Sequence, residues 1–335
     1  MLTELATDRQ VLFVGGKGGV GKTAVASALG LSLARAGRRV LVVSTDPAHN
    51  LGHLWGRSVG DEEVELAPLL RGLEIDPART TDAHLSAVRS TMERLMPEHL
   101  RGEVHKHLDL AREAPGTHEA AVLERIAEVV QSRHPDELVI FDTAPSGHTS
   151  RLVALPELMQ AWTQGLLRRQ DRSARFGAAL RGLDRGRGDR AAADAVGVRR
   201  SGGDPPPDRR ARRDAEIRDI LDRRQARFTD LREVLQDARR SAFVIVLAAE
   251  RLPVLESVEL HAQLTRAGMG VGALVVNKRS PADAGELLAA RHVLEERYVE
   301  QLTEELPGLP LLQVPLLPGE VLGVEGLDRL AAYLS

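Results

Sequence analysis

The chain has 335 residues and a formal net charge of −3, so no strong positive field is present to attract nucleic acid or an anionic membrane. It contains no cysteine, which excludes disulfides, thiolate metal sites and cysteine nucleophiles and fits a reducing compartment. The amino terminus lacks the pattern of a signal peptide, and the longest apolar runs are far shorter than the ~20 residues that span a bilayer. We therefore expect a cytoplasmic protein without stable membrane insertion and without a nucleic-acid partner.

Short apolar runs, many of them β-branched, recur along the chain and are followed by turn or capping residues. They lie at residues 11–14, 40–43, 138–141, 243–247, 271–276 and 311–314. Nearly continuous apolarity is typical of strands in a sheet that is covered on both faces. Segments with helical periodicity lie between them, such as 23–36, which ends before Gly37. This alternation predicts an α/β fold with a doubly wound, mostly parallel sheet.

Two long segments interrupt the alternation of strands and helices. Residues 51–135 and 157–240 are mostly helical in pattern, so we expect a single α/β domain over 1–335 with an inserted helical subdomain. Residues 171–213 are rich in Arg, Ala, Gly and Asp and poor in large apolar side chains. This composition predicts a disordered or poorly ordered loop. A basic patch for nucleic acid and a local reading-frame error in the gene are the alternatives.

A glycine-rich loop, GGKGGVGKT at residues 15–23, follows the first predicted strand and precedes a predicted helix. This is the P-loop pattern of nucleotide-binding proteins in its expected context. Glycines allow backbone N–H groups to turn inward and hold phosphate oxygens, helped by the helix N-terminus. We expect Lys22 to reach the β- and γ-phosphates of ATP and the Thr23 hydroxyl to bind Mg²⁺. The predicted nucleotide-binding residues of the loop are Gly16, Lys17, Gly18, Gly19, Val20, Gly21, Lys22 and Thr23.

The second lysine of this loop, Lys17, is unusual in a chain that uses arginine almost everywhere else. Of 45 basic residues only four are lysines, namely Lys17, Lys22, Lys106 and Lys278, and two of these stand in the same loop. A compact ammonium differs from a planar guanidinium when it is placed against a single phosphate oxygen. The pattern therefore predicts a functional role for Lys17, with a solvated loop lysine as the alternative.

Two aspartates directly follow predicted strands. Asp142 ends the run 138–141, an arrangement in which the carboxylate holds Mg²⁺ directly or through a water. Asp46 follows the run 40–43 and is placed to orient or activate the attacking water. An Asx-turn or helix cap is the alternative for Asp46. With the P-loop, these residues predict a Mg²⁺-dependent ATP hydrolase in which Lys17, Lys22 and Asp46 are the catalytic residues.

Together these segments resemble the family of arsenite-pump ATPases (ArsA-like) and tail-anchored-protein targeting ATPases, which carry the two-lysine form of the P-loop. The sequence DPAH from Asp46 resembles the family's switch I, and DTAPSGHT from Asp142 resembles its switch II. The resemblance covers residues 10–170 and 215–335 and fails over 171–213. It implies that Asp46 is the hydrolytic aspartate and that Asp142 is the acid on the magnesium side.

The resemblance also implies a homodimer and further contacts with the nucleotide. Family members dimerise face to face, and Lys17 corresponds to the lysine that crosses to the partner's nucleotide. Asn277 corresponds to a residue that contacts adenine, and Pro315 and Leu316 belong to a loop that closes over the base. Glu250 corresponds to a glutamate that reaches the partner's nucleoside.

The missing cysteines limit which family properties apply here. The arsenite pump binds its soft metalloid through thiolates, so that site is not present in its known form. The zinc-binding CxxC pair of the eukaryotic targeting ATPases is also missing from the sequence. What the resemblance still implies is ATP binding, dimer closure and hydrolysis.

The sequence predicts less about the client, the molecule that such an ATPase binds and releases. The family's targeting members hold hydrophobic protein segments in an apolar groove that nucleotide opens or closes. Two apolar stripes here are candidates for that groove, with ordinary core packing as the alternative: Leu152, Leu155, Met159, Trp162, Leu166 and Leu167, and opposite them Met92, Leu95 and Met96. The competing functions are the soluble subunit of an arsenite or anion efflux pump, a ParA- or MinD-like positioning ATPase, and a nucleotide-gated binding module with negligible turnover.

Overall fold

In the computed structural model, the described residues are 1–46, 50–95, 112, 117–143 and 209–335. The chain divides into two units, Met1–Pro156 with Asp230–Ser335, and Glu157–Thr229. The described residues of the second unit form the first part of helix α6 (Arg209–Gln236), whose last residues belong to the first unit. Of the segment 171–213 that the sequence predicts to be poorly ordered, residues 171–208 lie outside the described residues, and residues 209–213 begin helix α6.

The first unit is built on an eight-stranded sheet in the order β3-β4-β2-β5-β1-β6-β7-β8. β3 pairs with β4 in antiparallel orientation, and the other neighbouring strands pair in parallel. The prediction of a doubly wound, mostly parallel α/β sheet is therefore confirmed. The strands are β1 (Val11–Gly15), β2 (Arg39–Ser44), β3 (Val64–Ala67), β4 (Leu70–Glu74), β5 (Glu137–Asp142), β6 (Ser241–Leu247), β7 (Val271–Arg279) and β8 (Leu311–Pro315).

Six strands coincide with the apolar runs, but β3 and β4 lie inside the segment 51–135, whose pattern predicts mostly helix. Neither strand contains a run of β-branched residues: β3 reads VELA and β4 reads LRGLE. β3 ends the order of the sheet and pairs with one neighbour, through a register shift. β3 is a short edge strand in which only Leu66 is buried, so its periodicity is weak, whereas β4 is an interior strand whose buried residues include Gly72 and Glu74 instead of an apolar run.

The helices pack on both faces of the sheet. One buried cluster joins alternate strand residues, such as Val40 and Val42 of β2, to residues of four helices. These helices are α1 (Leu2–Thr7), α2 (Lys22–Arg35), α3 (Asn50–Trp55) and α9 (Gly323–Ala331). Because successive strand residues face opposite sides, this cluster identifies one face. No helix of the described residues is both long and apolar enough to cross a membrane. The other helices of the described residues, besides α6, are α4 (Pro77–Leu95), α5 (Thr117–Ser132), α7 (Arg251–Arg266) and α8 (Glu286–Glu305).

Three stacked phenylalanines lie on the other face, at the centre of the sheet. The ring of Phe13 in β1 is 4.9 Å from that of Phe141 in β5 and 6.0 Å from that of Phe243 in β6. Stacked aromatic pairs of this kind add to the stabilisation that burial provides. The stack packs three neighbouring strands against one another in the centre of the sheet.

Candidate functional site

The P-loop joins β1 to α2 and lies against β6. Gly16 has φ 140°, and a Cβ added there would collide with the backbone carbonyl oxygen of Val246. Gly21, which caps α2, has φ 93°, and a Cβ added there would lie 2.5 Å from Nδ2 of Asn277. Glycine is required at both positions because an L side chain would meet strain and a neighbouring group together.

Two side chains at the end of β7 hold the outer side of this loop. Nδ2 of Asn277 donates to the carbonyl oxygen of Val20 at 2.8 Å, and Nζ of Lys278 donates to the carbonyl oxygen of Gly19 at 2.9 Å. In a trans peptide the next N–H points away from the preceding C=O. The N–H groups of Val20 and Gly21 therefore face away from β7, as a phosphate-binding cradle requires.

Lys22 begins α2 and is almost completely buried at the inner side of the loop. Its Nζ donates to the carbonyl oxygen of Lys17 at 3.0 Å. Burial lowers the pKa of Lys22, while the carboxylates of Asp142 and Asp46 act in the opposite direction. The charges of the P-loop lysine and of both predicted acidic residues are therefore electrostatically coupled.

Asp142 at the end of β5 is fully buried. Its Oδ2 accepts hydrogen bonds from Oγ1 of Thr23 at 2.6 Å and from Oγ of Ser44 at 3.3 Å. Its Oδ1 is buried and accepts no hydrogen bond from the described residues. Burial raises the pKa of Asp142 to about 6, against the hydrogen bond from Thr23 and the charge of Lys22.

This arrangement fits a magnesium ion. An unpartnered carboxylate oxygen and a threonine hydroxyl are hard oxygen ligands, which Mg²⁺ prefers. Within the described part of the chain no group of three or more His, Asp or Glu side chains forms a complete metal site. The phosphates of the nucleotide and water would therefore complete the coordination of an ion held by Thr23 and Asp142.

Asp46 lies just beyond β2, at the same edge of the sheet as Asp142. Its backbone N–H donates to Oγ of Ser44 at 3.3 Å, and its Oδ2 accepts a hydrogen bond from Nδ2 of Asn50 at 3.2 Å. Ser44 thus contacts both aspartates. Sequence reasoning missed Ser44, although its position at the end of an apolar run is the same signal that identified Asp142.

The predicted contacts with the nucleoside lie at the ends of the next three strands. The side chain of Asn277 contacts the P-loop at Val20. Leu316 follows Pro315 at the end of β8, and its backbone N–H donates to the carbonyl oxygen of Arg279 at 2.8 Å. Glu250 precedes α7 and accepts a hydrogen bond from Arg291 at 2.8 Å. The structure thus brings these predicted residues to the edge of the sheet that carries the P-loop, while their contacts with a nucleotide stay predictions.

A buried ionic network that the sequence did not indicate supports this part of the site. Glu295 of α8 accepts hydrogen bonds from the backbone N–H and the hydroxyl of Ser280 at 2.9 and 2.7 Å, and from Arg279 at 3.0 Å. Arg291 donates to Glu295 at 2.9 Å and also to Glu250. Burial favours the neutral form of Glu295, but the bonds from Ser280 and the two guanidinium groups hold its pKa below the ordinary value.

Lys17 forms an ion pair that the sequence also did not indicate. Its Nζ lies 2.9 Å from Oε1 of Glu256 in α7, and both side chains are more than one-third exposed. The ammonium of Lys17 is therefore partly exposed to solvent, whereas the side chain of Lys22 is buried.

Several predicted elements lie outside the described residues. These are residues 47–49 and 144–150, with most of the two switch sequences, and residues 151–208, with the first apolar stripe. Met96 of the second stripe lies there too, while Met92 and Leu95 belong to the end of α4. No account of a client groove is therefore drawn from these positions.

Comparison with known proteins identifies the family. The sequence profile of the anion-transporting ATPase family matches residues 9–190 and 209–335. The chain belongs to this family. It is 31% identical over 335 residues to ATPase GET3 of Komagataella phaffii. The aligned region covers 96% of this chain and 89% of that protein. ATPase get3 of Aspergillus terreus is 30% identical over 328 residues, and ATPase GET3 of Podospora anserina is 29% identical over 336 residues, with the same shares covered. The predictions of an ArsA-like family member and of an ATP hydrolase are confirmed.

The raised pKa of Asp142 predicts a pH dependence of stability. Because the folded protein keeps this proton up to about pH 6 and the unfolded chain loses it near pH 4, deprotonation with rising pH costs stability. Relative to Asp142→Asn, the free energy of unfolding of the nucleotide-free wild type should fall by about 1.5 kcal/mol between pH 5 and pH 8. Urea titrations of both proteins over this range measure the difference; parallel pH profiles would contradict it.

Proposed function

We propose that this protein is a homodimeric, Mg²⁺-dependent cytoplasmic ATPase that couples ATP hydrolysis to the binding and release of a hydrophobic protein client. The observation that carries the proposal is the convergence of Lys22, Thr23, Asp142 and Asp46 at one edge of the sheet. The similarity to ATPase GET3 over 96% of the chain supports the same assignment.

Each of these residues has a defined task in the proposed reaction. The loop N–H groups and Lys22 bind the phosphates and stabilise the negative charge that develops on them. Thr23 and Asp142 hold Mg²⁺, which when bound supplies further positive charge to the phosphate oxygens. Asp46 orients the attacking water and accepts its proton, directly or as part of a hydrogen-bonded chain.

The position of Lys17 supports its proposed role in the nucleotide site of the partner subunit. Its ammonium is partly exposed and paired with Glu256 rather than directed to the inner side of its own loop. An exposed ion pair of this kind contributes little to stability and is exchanged at small cost. In the closed dimer Lys17 leaves Glu256 and contacts the partner's phosphates, as an arginine finger does.

The client is proposed from the family resemblance and from the helical insertion. α4 and α5 pack together through His84 and Glu124, 2.8 Å apart, and through Thr81 and His118, 2.9 Å apart. This packed pair of helices supports the proposed helical subdomain, whose arrangement follows the nucleotide state in the proposed cycle. A role as the soluble subunit of an efflux pump is the second candidate, favoured by the description of the family as anion-transporting.

The two loop lysines should fail in different ways. Lys17→Ala should lower turnover by a factor on the order of 10³ while ATP binding partly persists. Lys22→Ala should weaken ATP binding itself by at least about tenfold, because it removes the buried cation of the loop. Equilibrium binding of a fluorescent ATP analogue and phosphate release separate the two effects. Normal hydrolysis by Lys17→Ala would exclude the proposed role of this lysine.

Mixing two inactive variants tests whether Lys17 acts on the partner. In a mixed dimer of Lys17→Ala and Asp46→Asn, the Lys17→Ala subunit keeps its own Asp46 and receives Lys17 from the other chain. With free subunit exchange, up to about one quarter of wild-type turnover should return. A lysine that acts within its own subunit gives no recovery, because every site then lacks one residue. Each variant alone, at the same total concentration, is the control.

The proposed client can be tested with a defined hydrophobic segment. Asp46→Asn with ATP should accumulate the closed state and hold a test protein carrying a carboxy-terminal transmembrane segment in solution. The same test protein without the segment is the control for the client, and Lys22→Ala is the control for nucleotide. Co-elution that needs both the segment and ATP supports the client role. Capture of an integral membrane transporter instead, with the test segment unbound, would favour the efflux role.

A further inference from the structure

Lys278 has a backbone conformation that is unusual for a residue with a side chain. Its φ is 60°, in the left-handed region, and Leu69 is the other non-glycine residue of the described chain with positive φ. This conformation is unfavourable for an L residue with a side chain and persists only where the surroundings enforce it. Such strain is typical of ligand-binding positions, so it calls for a search for what the side chain does.

The neighbours of Lys278 fix this conformation from both sides. Asn277 is anchored on the carbonyl oxygen of Val20, while Arg279 and Ser280 are anchored on Glu295. The backbone path at position 278 is therefore imposed by its neighbours and would suit glycine. The chain has a lysine there instead, one of four in 335 residues.

The side chain of Lys278 spans the distance from β7 to the P-loop. Its Nζ reaches the carbonyl oxygen of Gly19 at 2.9 Å, while the residue as a whole stays exposed. The four methylene groups between Cα and Nζ are thus held along the surface beside Asn277. In the neighbouring chain segment, Leu316 is 46% exposed, and its backbone N–H donates to the carbonyl oxygen of Arg279, the residue after Lys278. The stem of Lys278 and the side chain of Leu316 are thus two exposed apolar surfaces at the carboxyl ends of the neighbouring strands β7 and β8.

We propose that Lys278 is a further nucleotide-binding residue whose methylene stem forms one wall of the pocket for the purine base. Its ammonium holds the Gly19 carbonyl, so that the base pocket and the phosphate loop form one unit. A flat aromatic ring gains from contact with methylene groups whose charged end is bound elsewhere. The inference rests on the proposed function and on the predicted base contacts, by which Asn277 contacts adenine and Leu316 belongs to the loop that closes over the base.

The position suits lysine better than arginine or a solvated side chain. A single carbonyl oxygen takes one N–H donor, which a compact ammonium supplies, whereas the planar fork of arginine offers several donors in fixed directions. A lysine that served only solubility would not be held in the left-handed region, nor would its Nζ be fixed on the loop that binds the phosphates.

Substitution by glycine separates binding from structure. Lys278→Gly relieves the backbone strain and removes the stem, so it should keep the thermal midpoint of the wild type. Its affinity for ATP should fall on the order of tenfold, while its affinity for inorganic triphosphate, which has no base, should fall distinctly less. Leu69→Gly is the matched control: it relieves the same kind of strain at the opposite edge of the sheet and should leave both affinities unchanged.

A second substitution separates the stem from the ammonium. Lys278→Met keeps an apolar stem and should lose the same factor for ATP and for triphosphate, because only the contact with Gly19 is removed. Calorimetric titration with both ligands measures the losses. An equal loss for both ligands in Lys278→Gly, or no loss, would overturn the base-wall role. If the wild type itself neither binds nor hydrolyses ATP, the proposed function fails instead, so the two failures are distinct.

Discussion

The close approach of the P-loop to the strands on its outer side is the constraint on which the site depends. Gly16 lies against the carbonyl of Val246 with no room for a Cβ, and Gly21 lies against Asn277. The carbonyl oxygens of Gly19 and Val20 are bound from that side, which turns the following N–H groups to the opposite side. The phosphate cradle is thus set by the neighbouring strands as well as by the glycines of the loop.

The charges of the site are arranged before any ligand enters. Asp142 is fully buried with one carboxylate oxygen unpartnered by the described residues, and Lys22 is 5% exposed beside it. Burying an incompletely paired carboxylate costs free energy, as its raised pKa shows. A cation between Asp142 and the phosphates would remove that cost. Holding the carboxylate buried in this way is a form of electrostatic preorganisation toward a cation.

The sequence was sufficient for the central strands and for the position of the first polar residues that follow them. Apolar runs ending in Asp46, Asp142 and Asn277 are local signals, and parallel pairing brings their ends to one edge. The contacts that were missed join residues far apart in the chain. Lys17 and Glu256 are separated by 239 positions, and no periodicity relates them. Likewise β3 and β4 form because β2 offers an edge, a tertiary effect that overrides their weak local pattern.

The use of lysine connects these observations. In a chain that relies on arginine, Lys17, Lys22 and Lys278 all meet at the P-loop, and Lys106 lies outside the described residues. Each of the three directs one ammonium to one oxygen, of Glu256, of Lys17 and of Gly19 respectively. A guanidinium would spread its donors over a plane and would bind several oxygens at once. In the proposed function Lys17 and Lys22 exchange these contacts for phosphate oxygens, whereas Lys278 keeps its bond to Gly19, and a single contact from a compact ammonium suits both tasks.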